Sequence, residues 1–138
     1  MCARGRIALR MSLRTLGVIA CLLALSPMPA SAQEPPIREA PIDILVDLAE
    51  TLGEAHAIRS LCNGDQDQTW RNYMFSMMNM EGPTGSPRRS AMTSAFNRGF
   101  RNQSSRNRSC TPDLPGLEAQ IAARGRALAE SVAASYLQ

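Results

Sequence analysis

Apolar side chains recur at intervals of three and four residues in four separate segments of the chain, and no segment alternates apolar with polar residues. The first spacing places apolar side chains on one face of an α-helix, whereas alternation is typical of a half-buried strand. We therefore predict an all-α fold, a compact bundle of four helices whose short turns favour antiparallel neighbours.

Turn and capping residues mark the first two helices. Helix one is predicted from about Pro41 to Cys62, because Asn63-Gly64 is a pair typical of turns. Asp65 and Asp67 are N-cap candidates for helix two, which Glu81-Gly82-Pro83 ends.

The last two helices begin with the same signal, a hydroxyl residue followed by proline. Ser86-Pro87 starts helix three, which is expected to fade in the polar run from Gln103 to Ser109. Thr111-Pro112 repeats the signal, but Pro115-Gly116 is expected to delay the regular part of helix four until Leu117.

The N-terminal segment has the three parts of a secretory signal peptide. It carries four arginines, an apolar run from Leu16 to Leu25, and Ala30-Ser31-Ala32. The alternative is a membrane anchor, but the apolar run is about half as long as the ~20 residues of a membrane-spanning helix. A further alternative is lipidation at Cys21, because Val18-Ile19-Ala20-Cys21 resembles the lipobox of bacterial lipoproteins.

Cleavage near Ala32 defines the predicted domain organisation and compartment. We predict a signal peptide over residues 1–32, an extended tail over 33–41 that is rich in proline and charge, and a single helical domain over 42–138. The mature protein is then periplasmic or secreted, without a transmembrane segment. Its oligomeric state is not indicated by the sequence.

Charge is segregated along the mature chain, which keeps 11 arginines and 12 acidic residues after cleavage. Residues 34–81 have a net charge of −6 and residues 82–110 a net charge of +6, so helices one and three are expected to attract each other. Export argues against nucleic acid as a partner. We expect an envelope protein or an anionic envelope component instead, at a candidate surface comprising Arg88, Arg89, Arg98, Arg101, Arg106 and Arg108.

Two cysteines, Cys62 and Cys110, remain after removal of the leader. An isolated pair in an oxidising compartment is most often a disulfide. The alternative, a redox or nucleophilic thiol, lacks a C-x-x-C motif and a nearby histidine partner.

One predicted cluster combines polar and aromatic side chains. His56 and Arg59 fall on the apolar face of helix one, and an antiparallel helix two would bring its first aromatic residues beside them. Two interpretations are open: polar groups packed against rings inside the bundle, or an aromatic-lined pocket for an anionic ligand. The candidate cluster comprises His56, Arg59, Trp70, Tyr73, Phe96 and Phe100.

Motifs of catalysis and cofactor binding are absent from the sequence. There is no nucleophile elbow, phosphate loop or dinucleotide fingerprint, and the single histidine has no metal-ligand spacing around it. We therefore predict no catalytic residue, no metal and no cofactor.

Four stretches, LGEAHAIRSLC (residues 52–62), TWRNYM (69–74), SAFNRGF (94–100) and SCTP (109–112), occur in this order. Together they resemble a family of small, exported, uncharacterised bacterial proteins of the alphaproteobacterial type. The resemblance implies a helical fold and a Cys62–Cys110 pair, and it implies no activity, cofactor or catalytic residue.

These observations favour a non-catalytic periplasmic helical protein with a binding or interaction role in the cell envelope. The alternative is a small anionic-ligand binder, or a weak enzyme, that uses His56, Arg59 and the aromatic cluster.

Overall fold

The computed structural model describes residues 39–137, which form four α-helices. Within this range there is no strand, so the predicted all-α, four-helix fold is confirmed. The predicted signal peptide and most of the predicted tail, residues 1–38, lie outside the described residues. The helices are α1 (Ile42–Asn63), α2 (Thr69–Met80), α3 (Pro87–Arg106) and α4 (Leu114–Tyr136).

Helix α1 is the centre of the fold and packs against each of the other three helices. Helix α2 also meets α3 over a short stretch, whereas in the described part of the chain α4 has no close backbone approach to α2 or α3. A central helix must be apolar around most of its circumference. Accordingly, over residues 42–54 the exposed and partly exposed polar side chains of α1 form one strip, Asp43, Asp47, Glu50 and Glu54.

Consecutive helices are antiparallel, as predicted. Arg88, at the start of α3, contacts both Ala40 before α1 and Glu81 after α2. At the opposite end of the molecule, Arg59 late in α1 bonds Asp67 before α2 and Glu118 early in α4. Helices α1 and α3 therefore point in the same direction, and α2 and α4 point in the other.

Two glycines allow α1 and α3 to approach closely. A Cβ atom on Gly53 would overlap the carbonyl oxygen of Phe96, and a Cβ atom on Gly99 would overlap the carbonyl oxygen of Glu50. Because backbone atoms lie opposite both glycines, neither position has room for a larger residue. The glycine pair thus determines how closely α3 lies against the central helix.

The disulfide joins the end of α1 to the connection between α3 and α4. Cys62 and Cys110 are bonded, with their Cα atoms 5.0 Å apart. Leu114 and Ile121 of α4 pack nearby against Ala55 and Ile58 of α1. The predicted pair is therefore present, and it holds the start of α4 against the end of the central helix.

The third helix ends inside the polar run, residues 103–109, in which it is predicted to fade. It continues as far as Arg106, and Gln103 is buried. A long polar side chain can fill such a position because its methylene groups pack while its amide reaches a polar edge. The helix ends where Asn107 donates its backbone and side-chain N–H groups to the carbonyl of Gln103.

The fourth helix begins at Leu114, three residues earlier than predicted. Pro115 does not delay it, because the first turn of a helix leaves N–H groups without intrahelical acceptors and proline has none to satisfy. Leu117 already donates to the carbonyl of Asp113.

Candidate functional site

The six residues of the predicted cluster divide between two sides of α1. His56 lies beside Phe96 and Phe100 of α3, with ring centroids 5.7 Å and 5.5 Å apart. Arg59 instead faces the start of α2 and α4. Three residues along a helix correspond to a rotation of about 300°, so the two side chains diverge by about 60°, enough to contact different neighbours.

His56 lies at the base of a cleft between α2 and α3 with a volume of about 390 Å³. The side chain is 5% exposed, and its Nδ1 atom is 3.5 Å from the hydroxyl of Ser60. Arg71 and Asn97 line the same cleft. Burial, and next the positive charge of Arg71, lower the pKa of His56 below its ordinary value. The cleft therefore holds an imidazole that favours its neutral form beside a cation.

Arg59 belongs to a polar network that ties α1, α2 and α4 together. Its Nε atom is 2.9 Å from Asp67 Oδ2, and Nη1 is 3.0 Å from Glu118 Oε1. The indole of Trp70 donates to the same Glu118 oxygen at 2.7 Å. Hydrogen bonds from Thr69 and next Asn63, together with one from Arg59, hold the pKa of Asp67 well below its usual range.

The N-cap of α2 is Gln68, so neither predicted candidate occupies that position. Asp67, one residue earlier, instead bonds the first residue of the helix. Its Oδ1 atom accepts from both the backbone N–H and the hydroxyl of Thr69. The side chain of Asp65 makes no such bond in the described part of the chain, where only its carbonyl accepts, from Gln68.

Three of the six arginines assigned to an interaction surface bond to this chain. Arg88 Nε lies 2.8 Å from Glu81 Oε2. Arg89 donates to the carbonyl of Gly82. Arg98 bonds Glu50 across the α1–α3 contact, an ion pair that agrees with the expected attraction between helices one and three. Exposed guanidinium groups without an ion pair inside residues 39–137 remain at Arg101, Arg106 and Arg108.

A groove of about 800 Å³ lies between α2 and α4, and the sequence did not predict it. Because both helices rest on α1 without packing against each other, the space between them is open and α1 forms its floor. Most of the lining side chains are apolar. The floor comprises Leu48, Thr51, Leu52 and Ala55, and the walls include Trp70, Tyr73, Met77 and Met80 of α2 and Ile121, Gly125, Ala129 and Val132 of α4.

Each end of the groove is crossed by a hydrogen bond between its two walls. At one end, Trp70 of α2 donates to Glu118 of α4. At the other, the hydroxyl of Tyr136 donates to Glu81 Oε1 at 2.8 Å. The groove therefore runs beside α2 for about 16 Å, the rise over the eleven steps from Trp70 to Glu81.

Large side chains on the α2 wall are exposed, because no described residue covers them. Tyr73 is 60% exposed and Met80 is 76% exposed. On the α4 wall four of the lining residues are small, namely Ala122, Gly125, Ala129 and Ala133, spaced by three and four. This run of small residues on one face of α4 is the sequence signal that could have indicated an open space.

Within residues 39–137 there is no group of three or more histidine, cysteine or carboxylate side chains arranged to hold a metal ion. Among the described helices, none combines the length and apolar character needed to cross a bilayer.

A family model described as "Protein of unknown function (DUF2385)" matches residues 42–136, from the first residue of α1 to the last of α4. Searches of curated proteins and of solved structures found no significant match.

Proposed function

The chain belongs to the DUF2385 family, and we propose that it is a non-catalytic binding protein of the cell envelope whose ligand site is the groove between α2 and α4. The observation that carries the proposal is the groove itself, an apolar space of about 800 Å³ on a domain of four helices. Sites for small molecules typically have about 300–1,000 Å³ and mostly apolar walls.

The chemistry of the lining favours binding over catalysis. Aliphatic and thioether side chains neither transfer protons nor attack a substrate, and they gain free energy when an apolar ligand displaces water from them. Placement in the envelope follows from the leader pattern over residues 1–32, which predicts export.

Binding can be tested with the fluorescent apolar probe N-phenylnaphthylamine and one substitution that fills the groove. Ala129 is exposed on the α4 wall, so Ala129→Leu adds apolar volume inside the groove without disturbing the core. We expect the probe's affinity to fall about tenfold or more. Equal affinity in the variant and the parent protein would contradict the proposal.

A matched control lies on the same helix. Ala127 is also exposed, and it does not line the groove. Ala127→Leu therefore makes the same chemical change on another face of α4, and we expect it to leave probe binding unchanged. Loss of binding in both variants would show that the probe does not report on the groove.

The His56 cleft is a second candidate site, for a small anion, because His56 and Arg71 both line one cavity of about 390 Å³. The cation beside His56 in this cleft is Arg71, whereas the sequence analysis predicted Arg59. Titration with inorganic phosphate tests this alternative: Arg71→Gln should abolish binding at an unchanged melting temperature, and Arg101→Gln, outside the cleft, should not. Binding that survives Arg71→Gln would contradict it.

An envelope partner, either a protein or an anionic component, is proposed to contact the exposed arginines Arg101, Arg106 and Arg108. When these three are changed to Gln, crosslinking in intact cells should no longer capture the partner. An unchanged crosslinking pattern would exclude this surface.

A further inference from the structure

The geometry points to an anionic amphiphile as the ligand of the groove: an apolar chain that carries one carboxylate, with the chain between α2 and α4 and the carboxylate on Arg126. This inference rests on the proposed binding function and adds the chemical class of the ligand and the residue that recognises its charge.

Arg126 is the cationic residue among the groove's described lining residues. It is exposed, and its guanidinium makes no ion pair and no hydrogen bond within residues 39–137. Arg124, two residues earlier, does not line the groove and is already paired with Glu54 of α1. The two neighbouring arginines thus differ: Arg124 holds α4 against α1, whereas Arg126 is placed at the groove and has no ion pair in the described part of the chain.

Most other polar side chains at the groove are already bonded to the protein. The hydroxyl of Thr51 donates to the carbonyl of Asp47, and that of Ser76 donates to the carbonyl of Asn72. The hydroxyl of Tyr136 donates to Glu81. These groups have little remaining capacity to bind a polar ligand, so Arg126 and the exposed Tyr73 are left for its headgroup.

The acid at the end of the groove does not oppose an anionic ligand. Glu81 is 6% exposed, and Arg88 compensates its charge at 2.8 Å. The uncompensated charge on the lining is therefore positive, complementary to a carboxylate. Arginine suits this role because its planar fork can donate two parallel hydrogen bonds to a carboxylate.

The shape of the groove fits a chain better than a compact ligand. Its floor is the side of one helix, its walls are two more helices, and polar bridges cross both ends. Alanine and glycine on the α4 wall leave a continuous apolar surface along that length.

Laurate and dodecanol are the probes that test this inference, because they share an alkyl chain and differ in the charge of the headgroup. Displacement of N-phenylnaphthylamine should show that the parent protein binds laurate about fivefold more tightly than dodecanol, a preference of the size expected for an exposed charge pair. Added salt should reduce the preference.

Arg126→Gln should remove the preference for laurate and leave the affinity for dodecanol unchanged, and Arg126→Lys should restore part of it. Arg101→Gln is the matched control, since Arg101 is also exposed without an ion pair in the described chain but lies on α3, away from the groove. A preference that persists in Arg126→Gln would overturn the assignment of the headgroup.

The outcomes separate this inference from the proposed function. If Ala129→Leu blocks both probes and Arg126→Gln changes neither, the groove is an apolar site and the anionic ligand is wrong. If neither probe binds the parent protein, both proposals fail. If sedimentation shows a dimer that Ala129→Leu dissociates, a second copy covers the groove and the inference is overturned.

Discussion

Tyr136, the last residue of α4, donates a hydrogen bond of 2.8 Å to Glu81, which follows the last residue of α2. The same carboxylate accepts from Arg88, which also bonds the carbonyl of Ala40. One buried acid therefore joins the C-terminal ends of α2 and α4 to the start of α3, and through Arg88 to Ala40, two residues before α1. Partial burial, and next the bond to Glu81, raise the pKa of Tyr136 above its ordinary value.

Loss of Arg88 should destabilise the domain more than loss of its neighbour. Arg88→Gln leaves the Glu81 carboxylate, 6% exposed, without its cation, and breaking such a pair costs about 3 kcal/mol. Arg89→Gln removes only an exposed hydrogen bond to Gly82 and should change the free energy of unfolding by less than about 0.5 kcal/mol. Urea unfolding of both variants measures the difference, and equal stabilities would contradict the role assigned to Glu81.

Either helical glycine at the α1–α3 contact should be intolerant of alanine. Gly53→Ala and Gly99→Ala each place a Cβ atom against a carbonyl oxygen of the facing helix, so the helices must separate. We expect a loss of about 3 kcal/mol in the free energy of unfolding, at the upper end for overpacking. Gly116→Ala, where no atom lies near the new Cβ, is the control and should be neutral or slightly stabilising. Wild-type stability in Gly53→Ala would mean that the helices are farther apart than described.

Reduction of the disulfide should lower stability substantially. The bond closes a loop with a sequence separation of 48 residues, for which the chain-entropy model gives about 4 kcal/mol. The double variant Cys62→Ser, Cys110→Ser should therefore unfold at a markedly lower urea concentration than the oxidised protein, and it should be insensitive to reductant. If reductant does not alter the stability of the parent protein, the disulfide is not formed in solution.

Stability should fall in mild acid because of His56. Burial and Arg71 lower the pKa of the folded form below the ordinary value of 6.5, so below this pH the unfolded chain binds a proton that the folded protein does not. The nearby acids Asp65 and Asp67 oppose this effect only in part. The contribution is present above pH 6.5 and is lost as the pH falls below it.

His56→Gln should remove this component of the pH dependence, and no other imidazole interferes because His56 is the only histidine. The measurement is the free energy of unfolding on either side of pH 6.5 for both proteins. Parallel losses of stability would show that His56 is not responsible.

Helical periodicity predicted the fold well, because the positions of apolar residues and of turn residues are local properties of the chain. The start of α3 after Ser86 and the pairing of Cys62 with Cys110 could both be inferred without coordinates. The last residue of α3 could not be placed within the polar run, because the burial of Gln103 against α1 depends on packing between helices.

The sites were harder to predict because they depend on how helices sit beside one another. His56 and Arg59 share an apolar side of α1 on a helical wheel, yet one faces α3 and the other faces α2 and α4. The groove exists because α2 and α4 do not pack against each other, and a local sequence pattern does not indicate the distance between two helices. The charge segregation did predict a contact between α1 and α3, seen in the pair Arg98 and Glu50.

The central claim is that ligands bind between α2 and α4. Backbone chemical-shift mapping of the isotope-labelled protein with laurate tests it most directly, because each helix reports separately. We predict that the shifts concentrate on the groove walls, at residues 73–80 of α2 and 121–133 of α4. Shifts confined to His56, Phe96 and Phe100, or to the exposed arginines of α3, would contradict the account.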